Sequence, residues 1–344
     1  MIDTAVIIVN WNGEKLLPDC LLSLSKQTYS KFKVFIVDNN SSDNSIRFIE
    51  DKYSQFELIK LSKNYGFAKG NNIAIRKVLK NKEIKFIVFL NTDTIVDKNW
   101  LHELVKTARK YPSCGMVASK AYFKGKKTLE CCGLSLEKSL TNSFQGDLGL
   151  GSYLDSNSKI YSKELKILCP GGMSALYKTD VLKKIGLFDE DFFMYAEDLD
   201  LGMRAQLYGF DCYFNPNSKL VHLKSKSSNK KNSNFKVIYN KRNLILFAVK
   251  NFPLTYLLQL PYLFIKDHIK NYKTEKINYI SQFKDENSLI KTFYLSLLIL
   301  FKVIFLLPKT LNKRRIIQKN KIISTKNHKM LFKLYNRTQI EKNS

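Results

Sequence analysis

Residues 4–10 (TAVIIVN) form a short apolar run rich in β-branched side chains, broken by Asn10-Trp11-Asn12-Gly13. The pattern returns at 33–37 (KVFIV), which ends in Asp38-Asn39-Asn40-Ser41-Ser42-Asp43. It recurs more weakly at 57–61 (ELIKL), and again at 86–90 (FIVFL), which ends in Asn91-Thr92-Asp93-Thr94. Runs of this length and composition predict buried strands. Between them lie stretches with helical periodicity: 15–26, with Leu16, Leu17, Cys20, Leu21 and Leu24 on one face, then 45–53 and 68–79. Strands alternating with helices predict an α/β domain with a mostly parallel central sheet. Ligands of such sheets bind beyond the carboxyl ends of the strands, and three of the four runs end there in Asn, Asp and Ser.

The rest of the chain is less regular. Residues 122–160 are rich in Gly, Ser and Asn and predict loops and hairpins. A strand and turn are expected at 167–175 (ILCPGGMSA), a short helix at 178–185 stopped by Gly186, and a longer one at 196–208 before Gly209. Short extended pieces follow at 212–214 and 220–222, then a polar linker at 225–233. Beyond it come two apolar stretches, 244–264 and 289–307, each about as long as a membrane span. The first holds Lys250, Pro253 and Pro261. The second holds Lys291 and Lys302 nearly on one helical face, and Lys309, Lys313, Arg314 and Arg315 follow it. Apolar helices with a lysine edge and a basic flank suit the headgroup layer of a bilayer. A buried helical core and a true span are the alternatives.

Charge sharpens this division. The formal net charge is +27, and residues 219–344 carry 27 Lys and Arg against 5 Asp and Glu. The last third is therefore a basic block, and the expected partner is a polyanionic surface. Helix-turn-helix and zinc patterns are missing and the apolar stretches are long, so anionic lipid is favoured and nucleic acid is not expected. Two regions follow: 1–225, the α/β domain, and 226–344, a helical, basic, membrane-surface-associating region. The six cysteines lack metal-site spacing and read as reduced thiols of a cytosolic compartment. The N-terminus lacks the pattern of a secretory signal.

Four groups of residues carry candidate chemistry. Asp93, at a strand end, could hold a hard divalent cation; capping of a following helix would explain it equally. Glu197-Asp198-Leu199-Asp200 places three acids in four residues, which need a cation, a basic partner or raised pKa values, unless they simply begin a helix. His222 is one of four histidines and would need its second ring nitrogen fixed to act as a ligand. Asp38 and Asp43 could accept from a base or ribose hydroxyl, or could serve as a turn and an N-cap. The loop 64–72 (NYGFAKGNN) opens a helix whose amides would suit a phosphate.

In this order and at these spacings, the motifs VIIVNWNG, CLLSLSKQTY, VDNNSSDNS, NYGFAKGNN, LNTDTIV, PGGMSALYKTDVLKKIGLFDEDFFMYAEDLDLGMR and the final VH resemble the family 2 glycosyltransferases of GT-A fold, in particular the rhamnosyltransferase-like branch. The resemblance covers residues 4–225. It implies a nucleotide-sugar site built from Asn10, Asp38, Asp43, Asn71, Asn91 and Asp93. It makes Asp93, with His222, the ligands of Mg²⁺ or Mn²⁺ on the donor diphosphate. Asp198 would be the general base and Glu197 would help position the acceptor, while Gly171 and Gly172 would let backbone approach the sugar or acceptor. Thr92 stands where the family usually has Pro, and Asn91 where it has a first Asp, so Asn91 cannot be a strong anionic ligand.

The implied reaction is an inverting transfer, possible for rhamnose, from a nucleotide-diphosphate sugar to a saccharide or lipid-linked saccharide, in cell-surface polysaccharide synthesis. The implied place is the cytoplasmic side of the membrane, peripheral on its inner face. A nucleotidyltransferase and a nucleotide-sugar-binding protein without catalysis are the alternatives. The first lacks its Gly-rich basic N-terminal signature here, and the second sits poorly with a full set of acids and His222.

Overall fold

A computed structural model of the protein describes residues 1–125, 129–134, 159–223, 234–259, 262, 289–324, 326–327 and 331. In chain order the elements of the first part are β1 (Thr4–Asn10), α1 (Leu17–Ser25), β2 (Phe32–Asp38), α2 (Ser45–Lys52), β3 (Glu57–Lys60), α3 (Gly66–Val78), β4 (Phe86–Leu90) and β5 (Thr94–Val96). They continue with α4 (Trp100–Lys110), β6 (Cys114–Phe123), β7 (Leu129–Cys131), β8 (Leu165–Ile167), β9 (Ser174–Lys178), α5 (Thr179–Ile185), α6 (Glu197–Leu207) and β10 (Asp211–His222).

One sheet runs in the order β3-β2-β1-β4-β9-β6-β10-β5. Its first four strands are parallel, β9 enters antiparallel to both β4 and β6, and β6 and β10 are again parallel. The apolar runs are continuous because both faces are covered. Ala5 and Ile7, Phe35 and Val37, and Ile87 and Phe89 face α3, α5 and α6. Their neighbours Val6, Ile8, Val34, Ile36, Phe86 and Val88 face α1 and α4. This is a GT-A-like α/β fold, as expected.

Helix α4 and strands β5 and β6 were not anticipated. Helix α4 buries Trp100, Leu101, Leu104, Val105 and Ala108, and β6 is buried along most of its length. The pieces expected at 212–214 and 220–222 are one strand, β10, whose register with β6 shifts between Phe214 and Lys219. A shift of this kind accommodates Pro216, which cannot donate to the ladder. All six cysteines are buried. The linker expected at 225–233 and most of the expected loops at 126–128 and 135–158 lie outside the described residues.

The C-terminal region contributes α7 (Asn234–Asn251), α8 (Leu254–Leu257) and α9 (Leu289–Asn320). The first apolar stretch takes the buried-core alternative over 244–252, where Leu246, Phe247, Ala248 and Phe252 join the core on the α3 face. Pro253 then begins α8. Lys250, only 2% exposed, reaches Asp189 at 2.6 Å and Asp200 at 2.8 Å, so its charge is paired inside the protein. Helix α9 differs. Among the described residues it is the one helix long and apolar enough to cross a membrane, over Phe293–Asn320, by length and composition. It packs on α7 while Phe293, Leu297, Leu300, Phe301, Ile304 and Phe305 form an exposed stripe, Phe305 being 77% exposed.

Candidate active site

The carboxyl ends of β1 and β2 are laced together. Asn10, fully buried, donates through Nδ2 to Asp38 Oδ1 at 2.9 Å, Ser45 Oγ at 3.0 Å and Ser41 Oγ at 3.1 Å. Its Oδ1 is buried without a partner. Asp38, also fully buried, takes the N–H and hydroxyl of Ser41. Asp43 accepts from the backbone N–H groups of Glu14 and Ser45 and from the Ser45 hydroxyl. Burial works against its charge, but these donors outweigh it and lower its pKa. Both aspartates therefore shape the loop beyond β2, as the turn reading expected.

Asn71 is sealed in α3, donating to the Phe67 carbonyl at 2.9 Å. Among the described residues its side chain makes no hydrogen bond to Asn10, Asp38, Asp43 or Asp93. The first amides of α3 are already engaged, Gly66 N–H with Asn64 Oδ1 and Ala68 N–H with the Phe193 carbonyl. Two neighbours that sequence reasoning missed make the long-range bonds. Asn39 bridges β2 to Tyr65 and Gly66, and Asn72 holds both the N–H and the C=O of Phe188. The Asn-Asn pairs were the available signal, but nothing in the sequence says which member turns outward.

Asp93 precedes a strand, β5, so helix capping does not account for it. β5 pairs with β10, placing Thr94 opposite His222. Asp93 Oδ2 then lies 3.0 Å from His222 Nε2, and Glu130 Oε2 from β7 lies 2.9 Å from Nδ1. Burial alone would lower the His222 pKa, but the two carboxylates override it and raise it to about 9. Among the described residues no three His, Cys, Asp or Glu side chains group around one point. Glu130 stands behind the imidazole and orients it, as outer carboxylates do for ligating histidines. Asp93 and His222 could thus supply two ligands, at a spacing that neighbouring ligands on an octahedral ion with ~2.1 Å bonds also take. Glu130 itself carried no sequence signal, being a lone acid in an irregular stretch.

The acidic helix start is reached through β9. Asn91 donates its backbone N–H to the Met173 carbonyl at 3.1 Å, and the preceding Gly172 N–H donates to Asp198 Oδ2 at 2.8 Å. The segment entering β9 therefore touches both the Asp93 loop and Asp198. Gly171 beside it is buried against Cys131. Asp198 Oδ1 accepts from Leu199 N–H at 2.8 Å.

The two acids are unequal. Glu197 is 6% exposed and Oε2 has no partner. Burial, then the charges of Asp198 and Asp200, drive its pKa far up. Asp198 keeps some solvent access; burial raises its pKa too, but the Leu199 and Gly172 amides oppose the rise. The upward push is the stronger at Glu197, so of the two Asp198 gives up its proton the more readily. Asp200 plays another part, buried between Arg204, Lys250 and Asn251.

The turn before them is strained. Phe193, Tyr195 and Ala196 have φ of 62°, 73° and 63°, a conformation costing a non-glycine residue about 1–3 kcal/mol.

The family model for glycosyl transferase family 2 matches residues 5–186, more than half of the chain. The chain belongs to this family. Membership sets aside the nucleotidyltransferase alternative. This family 2 glycosyltransferase is 22% identical over 212 residues to the poly-beta-1,6-N-acetyl-D-glucosamine synthase of Staphylococcus epidermidis; the match takes in 61% of the chain but 47%, about half, of the synthase. It is 25% identical over 222 residues to rhamnosyltransferase WbbL of Escherichia coli, covering 63% of the chain and 82% of WbbL.

Its fold is shared with solved structures. Residues 1–349 of S. aureus TarS superpose with a TM-score of 0.54 at 18% identity, over 98% of this chain and 92% of that one. The mannosyltransferase PcManGT of Pyrobaculum calidifontis, solved with GDP-Man and Mn²⁺, superposes with a TM-score of 0.52 at 16% identity, over 97% and 86%.

Proposed function

We propose that the protein is an inverting glycosyltransferase that moves a sugar from a nucleoside-diphosphate donor to a saccharide hydroxyl in the synthesis of a cell-surface polysaccharide. The observation that carries this reading is the placement of Asp198, held by the Gly172 amide and joined through Gly172 and Met173 to the Asp93–His222 loop. The acceptor oxygen attacks the anomeric carbon and its proton passes to Asp198. The bond from that carbon to the diphosphate oxygen breaks, and the nucleoside diphosphate leaves with the electron pair. Glu197, whose burial favours its protonated form, would help to position the acceptor. Asp93 and His222 would hold Mg²⁺ or Mn²⁺, whose charge would offset that developing on the diphosphate. Asn10, Asp38 and Asp43 shape the nucleotide end by tying the β1 and β2 strand ends to the loop beyond them.

The likeness to WbbL favours a rhamnose donor and that to the synthase an N-acetylglucosamine donor. The Mn²⁺ in PcManGT supports the metal. A lipid-linked acceptor and a place on the inner face of the membrane are supported by the basic C-terminal third and the exposed stripe of α9. The test is a panel of nucleotide sugars with Mg²⁺ or Mn²⁺ and lipid-linked acceptors, following released nucleoside diphosphate. Donor binding without release under every condition would instead support a binding protein without catalysis.

A further inference from the structure

The turn that delivers Glu197 and Asp198 is held by a helix from the other end of the chain. Asn243 on α7 is fully buried, and its Nδ2 lies 2.9 Å from the Phe192 carbonyl, 2.8 Å from that of Met194 and 2.7 Å from that of Tyr195. Its Oδ1 faces the other way and accepts from Arg242 Nε at 2.9 Å and Nη2 at 2.7 Å. Arg242 Nη2 also reaches the carbonyls of Asp191 and Phe192 at 2.8 and 3.1 Å.

These carbonyls flank the left-handed residues Phe193, Tyr195 and Ala196. Left-handed turns point successive carbonyls where no helix or strand partner can meet them, so a buried one needs donors from elsewhere. Only an amide can face carbonyls with its N–H groups and a guanidinium with its C=O at once. An aspartate would have no donor to offer, and an apolar residue neither. Among the described residues, neither Asn243 nor Arg242 bonds to Asn10, Asp38 or Asp43.

We propose that Asn243 is a positioning residue for the transfer step, fixing the turn of Phe192–Tyr195 so that the Asp198 carboxylate is aimed at the acceptor hydroxyl. The nucleotide end of the site is built without it. The proposal rests on the reading of Asp198 as base.

The test compares kcat, donor KM, nucleoside-diphosphate affinity by calorimetry and melting temperature for the full-length wild type, Asn243→Ala, Asn243→Asp and Asp198→Asn. Both Asn243 variants are expected to lose kcat by about 10²-fold, the scale of a small misplacement of a reacting group. Nucleotide affinity should stay within about twofold, since substitutions away from a ligand leave its contacts intact. Because losing Asn243 also exposes the strain, Asn243→Ala is repeated with Ala196→Gly, since glycine takes the left-handed conformation freely. The added glycine should restore the melting temperature and not kcat.

Wild-type kcat in Asn243→Ala would overturn the proposal. So would nucleotide affinity falling in step with kcat, or recovery of kcat by Ala196→Gly, which would reduce Asn243 to offsetting strain. A fully active Asp198→Asn would instead remove the base assignment itself.

Discussion

Gly172 donates its backbone N–H to Asp198 Oδ2 at 2.8 Å, and a Cβ at position 172 would stand 3.1 Å from that same oxygen. The glycine expected to make room for substrate thus makes room for the Asp198 carboxylate, the proposed base. Gly172→Ala is predicted to lower kcat by about 10–100-fold, through displacement of Asp198. Steady-state kinetics check it; a kcat within twofold of wild type would mean that the contact does not aim the carboxylate.

Glu197 gives a pH prediction. Its folded-state pKa lies far above its ordinary value of 4.5, through burial and then its acidic neighbours. A carboxyl raised in this way favours folding while protonated, and that contribution is lost as pH rises above 4.5 through the folded value. Glu197→Gln, neutral at every pH, should therefore be more stable than wild type at pH 8, with the gap closing in acid. Urea midpoints at pH 4 and pH 8 measure the gap, and a variant less stable at pH 8 contradicts it.

Glu130 tests the metal reading from behind. Glu130→Gln keeps the shape but removes the charge that orients and polarises His222. Outer partners of this kind are worth roughly 10–100-fold in metal affinity. Mn²⁺ titration followed by electron paramagnetic resonance should show weakening of that size, and unaltered affinity would place the ion elsewhere.

Lys250 joins Asp189 and Asp200 in the interior. Burial pushes the Asp189 pKa up, but Lys250 and Lys313 overcome this and hold it far below the ordinary range. Lys250→Met would leave the aspartates short of a buried cation, a loss of about 3–5 kcal/mol. Chemical denaturation of the full chain measures it; a change under 1 kcal/mol, the scale of exposed pairs, would show that water reaches the cluster.

The stripe on α9 makes a prediction about lipid. Replacing Phe301 and Phe305 with Asp puts two charges where the exposed rings stand. Flotation with anionic liposomes should fall sharply, while turnover of a water-soluble acceptor persists. Equal flotation of both proteins would show that the stripe does not meet the bilayer, and capture by nucleic acid alone would redirect the basic region to another polyanion.

The legible parts of the molecule were those written locally. Strands β1, β2 and β4 are β-branched runs buried on both faces, so composition alone exposes them. Asp93, Asp198 and His222 stand in motifs with fixed neighbours. The illegible parts depend on who meets whom. Glu130 acquires meaning only when β7 pairs with β6 and brings it behind His222. Asn243 looks like a polar residue at the start of an apolar run until α7 docks on the turn before Glu197. Lys250 argued in sequence against a clean membrane span, and only the fold reveals the aspartates that pair it. In 289–307 the pattern shows apolarity and length, but which face turns outward follows from the docking of α9 on α7.

Lys309 and Lys313 in the C-terminal half of α9 grip Asp191, and Lys313 also grips Asp189, a few residues ahead of the turn that delivers Asp198. On the reading that α9 rests on lipid, these bonds fix the altitude of Asp198 above the bilayer. The enzyme would then act as a ruler. An acceptor anchored in the same bilayer would be chosen by how far its terminal hydroxyl stands from the surface, and growth of the glycan would carry that hydroxyl out of reach.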